Sequence, residues 1–350
     1  MKNIIFLFAI SILFFCCNQN EVKSDSGDTG NKISVAQYFN YSDSGVQSAG
    51  IKMIPIKTPV GEFKVWTKRF GNNPRIKILL LHGGPAAGHE YMECFESFFP
   101  KEGFEFYEYD QLGAPYSDQP TDSSLWTVER YVDEVEQVRK AIGADKSNFI
   151  VLGNSWGGIL AMEYALKYQD NMKGMIVADM MASCPEYGKY AEEVLAKQMD
   201  PKVLAEIKQI EKNHDFSNPR YDELLGPNFY AQHICRLDPW PEPVVRCFNH
   251  LNTTKVSKQI YVLMQGPSEF GIGGRLANWD IKNRLKEIKI PTLMVGAKWD
   301  TMDPKAMEEQ SKMVQKGSYL YCPNGSHMCM WDDQKVFMDG VMKFIKSVSQ

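Results

Sequence analysis

The sequence is poor in the features that mark several broad classes of protein. It has 8 cysteines in 350 residues, two of them adjacent near the start, and no Cys-x-x-Cys pair. That is too sparse for a disulfide-stapled scaffold, and it lacks the ligand spacing of a structural zinc site. It has no basic excess: 39 Lys and Arg stand against 43 Asp and Glu, a formal net charge of −4. A nucleic-acid binder carries the opposite imbalance. No apolar run reaches the roughly 20 residues that a membrane-spanning helix needs, and no internal repeat is visible. With 44% hydrophobic and 23% charged residues, the composition is that of a folded chain rather than a disordered one. The length fits one large domain or two modest ones.

The first feature present is an address. Residues 4–17 read IIFLFAISILFFCC behind Lys2. A charged start and a short apolar run are the marks of a signal peptide. A cysteine closes the run and a polar stretch, NQNEVKSDSGDTGN, follows. This resembles a bacterial lipoprotein signal, in which the first mature cysteine is lipidated. Leu13 sits three before Cys16, as that pattern requires, but Phe15 stands where a small residue belongs. Cys17, with Cys16 as its small neighbour, is the other candidate. An ordinary secretory signal is the plainer alternative. Both readings export the chain to the periplasm or cell envelope, and the first adds membrane attachment through Cys16 or Cys17. Residues 18–49 read as a flexible tether and lead-in. Six cysteines remain beyond it, and their spacing does not say which would pair in an oxidising compartment.

From residue 50 the chain alternates. Residues 52–58 and 61–70 read as strands joined by a tight turn. Residues 77–81, 105–109, 148–152, 172–178, 291–295 and 318–322 read as further strands. Helices are expected over 128–142, where apolar residues recur every 3.6 positions, and over 157–168, 303–314 and a last stretch ending near 345. Strands alternating with helices predict a mostly parallel α/β sheet covered on both faces. Residues 182–285 break the rhythm with a long helical pattern rich in Pro, Trp, Tyr and Met. They read as a helical cap, or lid, inserted into a core made of residues 50–181 and 286–350.

The chemistry starts at Gly153-Asn154-Ser155-Trp156-Gly157, between a buried strand and a helix. A serine on so tight a turn is lifted above the sheet, and the flanking glycines avoid clashes where the backbone doubles back. The helix beneath favours a developing negative charge. A serine hydroxyl needs a base, and the base needs an orienting acid, met in the chain order Ser, acid, His in folds with this elbow. Of six histidines, only His327 lies beyond the last strand. Asp300 follows the strand at 291–295. Asp303 competes, but Asp303-Pro304 reads as a helix start. The oxyanion needs two backbone N–H donors: Trp156, and a glycine of His82-Gly83-Gly84-Pro85, with Gly84 preferred and Gly83 next.

Together these motifs resemble the proline iminopeptidases of the α/β-hydrolase superfamily. The similarity runs from about residue 51 to 345 and rests on LLLHGGPAAGHEYM, YDQLGAPYSDQP, LGNSWGGILAMEYALKY, HICRLDPWPEPV, MQGPSEFGIGG, LANWDI, IPTLMVGAKWDTMDP and PNGSHMCMWDD. The resemblance implies an α/β-hydrolase fold and removal of an N-terminal residue, preferably proline, from peptides with a free amino terminus. It implies that acidic lid residues hold that terminus, and Glu269 in GPSEF matches one of them. A second family acid often follows the catalytic aspartate; here Thr301 stands in its place, with Asp303 as a substitute to consider. Ala86 replaces a family glycine after His-Gly-Gly-Pro.

Glu269 also has its own logic: a partly buried carboxylate rewards a positively charged amine through a charge-assisted hydrogen bond. The plainer reading pairs it with a lid arginine such as Arg236 or Arg275. Phe270 and Trp240 are candidates for the wall of a proline pocket. No metal and no cofactor is called for. Two rivals stand beside the peptidase: a carboxylesterase or lipase-like hydrolase with the same triad, and a non-catalytic, surface-tethered binding protein.

Overall fold

The computed structural model describes Ser34, residues 50–216 and residues 218–349. The signal-like segment with Cys16 and Cys17, and all of the tether but Ser34, lie outside these described residues.

The described chain opens with a hairpin of β1 (Ile51–Thr58) and β2 (Gly61–Phe70), with Thr58 opposite Gly61 at the turn. β3 (Lys77–Leu81), β4 (Glu105–Asp110), α1 (Val128–Ala141), β5 (Phe149–Asn154), α2 (Trp156–Tyr168) and β6 (Gly174–Ala178) follow. Between β6 and the next strand the chain runs through α3 (Cys184–Tyr190), α4 (Pro201–Lys212), α5 (Pro219–Leu225), α6 (Glu242–Thr253) and α7 (Lys255–Met264), besides shorter helical turns. It then completes the sheet with β7 (Pro291–Ala297), α8 (Pro304–Met313), β8 (Lys316–Cys322) and α9 (Gln334–Ser349).

The eight strands lie in the order β1-β2-β4-β3-β5-β6-β7-β8. The β1–β2 and β2–β4 pairs are antiparallel, and every other pair is parallel. The expected alternation is therefore present, and its cause is visible in the central strands. Every residue of β5 and β6 is buried, as a strand covered on both faces requires. Side chains alternate between the faces. Leu79, Val151 and Val177 join a core with Val135, Val138 and Leu160 of α1 and α2, whereas Ile78, Leu80, Ile150 and Ile176 join one with Phe95, Phe99, Phe337 and Val341.

Helix limits follow local chemistry. The Thr127 side chain accepts the Arg130 N–H and starts α1, which satisfies one of the four N–H groups that a helix start leaves unpaired. α9 runs to Ser349, beyond the expected end near 345, because Val348 extends the same apolar stripe onto the core. The six cysteines past the tether are all buried and none is bonded to another.

Candidate active site

Ser155 stands between β5 and α2 with φ 56° and ψ −126°, a conformation that residues with a Cβ rarely adopt. The turn is too tight for anything but glycine on either side. A Cβ at Gly153 would lie 2.0 Å from the Gly157 carbonyl oxygen, and one at Gly157 would lie 2.0 Å from that of Leu81. The sheet thus presents the hydroxyl beyond the C-terminal edge of its parallel strands, where open α/β sheets hold their ligands.

The other two predicted residues come from the same edge. Asp300 follows β7 and His327 follows β8. The His327 Nδ1–H donates to Asp300 Oδ1 at 2.7 Å, with both side chains buried. That bond fixes the tautomer and leaves the Nε2 lone pair free. Burial pulls the imidazole pKa down, but the Asp300 charge and hydrogen bond outweigh it, with a smaller push from Glu269, and leave it above 6.5. Ser155 and His327 line one pocket of about 420 Å³. Among the described residues the Ser155 hydroxyl has no hydrogen-bond partner; contacts of this kind often tighten only when substrate is bound.

Two backbone donors flank Ser155, one directly after it and one in the loop after β3 that lines the same pocket. Trp156 is the first residue of α2, so its N–H has no intrahelical acceptor. In the loop after β3, the Gly83 N–H is committed to the Tyr91 hydroxyl at 2.7 Å. Gly84, which also lines the pocket, supplies the next N–H along. Braces behind this loop escaped sequence reasoning. His82 accepts the Gln111 N–H on Nε2 at 3.0 Å, and its Nδ1 lies 2.9 Å from the Gly83 carbonyl. The Gln111 side chain in turn accepts the Trp156 indole N–H at 2.7 Å. One glutamine therefore ties the two donor segments together. Its only local signal is its place in the YDQLG motif.

Glu269 is in the pocket, and neither arginine reaches it. Arg236 lies over the Trp299 ring at 4.4 Å, and Arg275 donates to the carbonyls of Ser123 and Trp126. The Glu269 carboxylate instead accepts the Tyr261 hydroxyl at 2.6 Å, and its backbone carbonyl accepts the Tyr187 hydroxyl at 2.5 Å. Burial raises its pKa, offset in part by His327 and Tyr261. Nothing local distinguishes Tyr261 from an ordinary core aromatic of α7.

Some expectations need correction. The apolar wall is made by Ala87, Ile234, Cys247, Phe248, Leu251 and Met328, not by Phe270 or Trp240. Phe270 packs on Phe229 and Trp240 on Phe248, one layer back. Asp303 does not substitute for the missing acid. Its carboxylate caps α8 by accepting the Lys305 N–H at 2.9 Å, and it does not line the pocket. Thr301 places its hydroxyl 3.3 Å from both Asp300 Oδ1 and His327 Nδ1. Ala86 keeps a left-handed φ of 64° but lies outside the pocket wall.

The stretch between α5 and α6 also holds the histidine loop. The His233 carbonyl accepts the His327 N–H at 3.0 Å, and the Ile234 carbonyl accepts the Met328 N–H at 2.9 Å. The His233 imidazole lies 2.8 Å from the Trp299 carbonyl, beside Asp300.

Comparison with known proteins places this arrangement. Residues 77–334 match the family model of the alpha/beta hydrolase fold. A proline iminopeptidase of Flavobacterium johnsoniae is 74% identical over 297 residues, covering 85% of this chain and 98% of the relative. The chain belongs to the proline iminopeptidase family. An iminopeptidase of Elizabethkingia meningoseptica shares the same 74% identity over 298 residues, with the same coverage of both chains. The crystal structure of a proline iminopeptidase from Mycobacterium smegmatis superposes with a TM-score of 0.74 at 24% identity, covering 84% of this chain and 98% of that one, a likeness of fold. The iminopeptidase-like motifs of the sequence meet at one place. HGGP contributes Gly83 and Gly84 to the pocket, the elbow contributes Asn154 and Ser155, GPSEF contributes Glu269, and PNGSHM contributes His327 and Met328.

Proposed function

We propose that this chain is a serine exopeptidase that releases an N-terminal proline, or a similar small residue, from peptides. The observation that carries this reading is Glu269: a half-buried carboxyl that pairs with no lysine or arginine among the described residues, in the same pocket as Ser155 and His327. A buried carboxylate is costly unless a charge and hydrogen bonds offset it. The protonated amine of a peptide N-terminus does both, whereas a simple ester substrate does not. The apolar wall of Ala87, Ile234, Cys247, Leu251 and Met328 suits a pyrrolidine ring.

The chemistry then runs on the chain's own residues. Ser155 Oγ attacks the carbonyl carbon of the first peptide bond as His327 Nε2 takes its proton, and the Gly84 and Trp156 N–H groups hold the oxyanion. His327 passes that proton to the leaving amine as the C–N bond breaks, which leaves an acyl-enzyme. Water, deprotonated by His327, cleaves the ester and frees the amino acid and Ser155. Asp300 orients the imidazole and offsets its charge throughout. Residues 182–285 act as the cap that carries Glu269 and closes the site to longer N-terminal extensions.

The test compares proline-p-nitroanilide with its N-acetyl form and with p-nitrophenyl acetate, for wild type and Ser155→Ala. Turnover of the free-amine anilide alone, lost in Ser155→Ala, is expected. Indifference to acetylation points to the esterase, and an unlabelled Ser155 in a fluorophosphonate assay points to the binding protein.

Residues 1–17 act in the same reading as an export signal, and Cys16 or Cys17 as a lipid anchor in the cell envelope. The apolar run, the cysteine at its end and the polar tether support this. Labelling of the full chain with radioactive palmitate, lost in a Cys16→Ser/Cys17→Ser variant, is the expected result; an unlabelled wild type rejects lipidation.

A further inference from the structure

Behind the oxyanion loop runs a chain of buried side chains that the mechanism above leaves without a task. The Gly83 N–H donates to the Tyr91 hydroxyl at 2.7 Å, and that hydroxyl donates to Asn154 Oδ1 at 2.9 Å. The Asn154 amide donates to Asp179 Oδ2 at 3.1 Å, and the same oxygen receives the Cys329 thiol at 3.1 Å. Asp179 is the residue that follows β6, and Asn154 is the last residue of β5. The shortest contact of each donor lies along this line; the Asn154 amide also reaches the Ala178 and His327 carbonyls at 3.5 Å, and the Cys329 thiol reaches Asp179 Oδ1 at 3.5 Å.

We propose that Asp179 is a positioning residue for the reaction: through Asn154 and Tyr91 it fixes the Gly83 peptide, and with it the Gly84 N–H that receives the oxyanion. The inference rests on the reading of Ser155 as nucleophile. Three features support it. Gly83 is packed so closely that a Cβ there would lie 3.0 Å from that of Ser155, so a shift of this peptide is felt at the nucleophile. All four side chains are buried, so water cannot replace a lost link at low cost. Asp179 itself is held at φ 53°, an unfavourable conformation that surrounding structure must maintain.

The carboxyl serves here as an acceptor. It forms no ion pair among the described residues, and the ionisable groups that act on it most are Asp300, Cys322, Cys329 and Asp332, none of them a cation. Burial first, and the Asp300 charge second, push its pKa well above the usual carboxylate range. Its Oδ2 accepts the Asn154 amide whatever its charge. An asparagine presents the same carbonyl.

The experiment measures kcat and KM for proline-p-nitroanilide, with thermal unfolding, in Asp179→Asn, Asp179→Ala, Tyr91→Phe and the double variant Asp179→Ala/Tyr91→Phe. Asp179→Asn is expected to keep kcat within about threefold and to leave the acid limb of the pH profile in place, as a neutral isostere should. Asp179→Ala and Tyr91→Phe are each expected to lower kcat by about tenfold or more with KM within about twofold, the mark of an interaction felt in the transition state. The double variant should lose no more than the worse single one, since both cut one chain. Asp179→Asn as slow as Asp179→Ala, an acid limb displaced in Asp179→Asn, or wild-type kcat in Tyr91→Phe overturns the inference. Tyr91→Phe removes one oxygen and keeps the test decisive if Asp179→Ala does not fold. A Ser155→Ala variant with wild-type rate would overturn the underlying reading as well, whereas full dependence on Ser155 with wild-type kcat in Asp179→Ala overturns this inference alone.

Discussion

The sheet and the helical excursion between β6 and β7 solve different problems with different means. The sheet positions Ser155, Asp300 and His327 by backbone: each follows a parallel strand, and the strand register sets the distance between them. The excursion positions Glu269 by side chains, with Tyr261 on the carboxylate and Tyr187 on the carbonyl. A strand end tolerates little variation, because a residue inserted there shifts every pair in the ladder. A phenolic contact is replaceable one residue at a time. The proposed reactive groups therefore sit on the rigid part and the proposed amine-binding carboxylate on the adaptable part. The two are not independent, since His233 and Ile234 of the excursion hold the backbone at His327 and Met328.

This contrast predicts a graded response. The largest effect belongs to the sheet. Asp300→Asn should lower kcat by about a thousandfold to ten-thousandfold with little change in folding, because the imidazole loses the partner that sets its tautomer. Stopped-assay turnover beside a circular dichroism melt checks this, and a loss below about tenfold would mean that Asp300 does not orient His327. Glu269→Gln comes next, with kcat/KM for free-amine substrates reduced by about tenfold to a hundredfold through the lost charge-assisted bond. An equal loss for N-acetylated substrates would remove its amine role. Tyr261→Phe leaves the carboxylate in place but removes one hydrogen bond to it, so about a threefold to tenfold loss is expected, mostly in KM. The smallest effect is a displacement of the pH profile. His327 must be neutral to accept a proton, and its pKa lies above 6.5, so activity should rise with pH through a midpoint above that value. Glu269 helps to hold that pKa up, so Glu269→Gln should move the midpoint to lower pH. A midpoint that stays fixed would show the two groups to be electrostatically separate.

Much of the site was legible before the fold was known, for a steric reason. At Gly153 and Gly157 the carbonyl oxygens of Gly157 and Leu81 occupy the space of a side chain, so the elbow needs its glycines in sequence and is recognised by them. Asp303 was likewise readable as a cap, because Asp followed by Pro is a local signature of a helix start. The pocket wall was not legible. Phe270 and Trp240 were reasonable aromatics to place there, yet Phe270 packs on Phe229 and Trp240 on Phe248. In helices of similar composition, the residue that reaches a pocket is set by how the helices cross, and composition carries no trace of that.

By itself the sequence determined the order of strands and helices along the chain, the strained serine turn and the pairing of Asp300 with His327, because each depends on near neighbours or on position after a strand. Only the tertiary structure decided that Gly83 has its N–H engaged while Gly84 offers the next, that Glu269 meets Tyr261 and no arginine, and that six cysteines stay buried without a disulfide. These outcomes depend on which groups lose water together, and residues distant in the chain set that only when the fold brings them into contact.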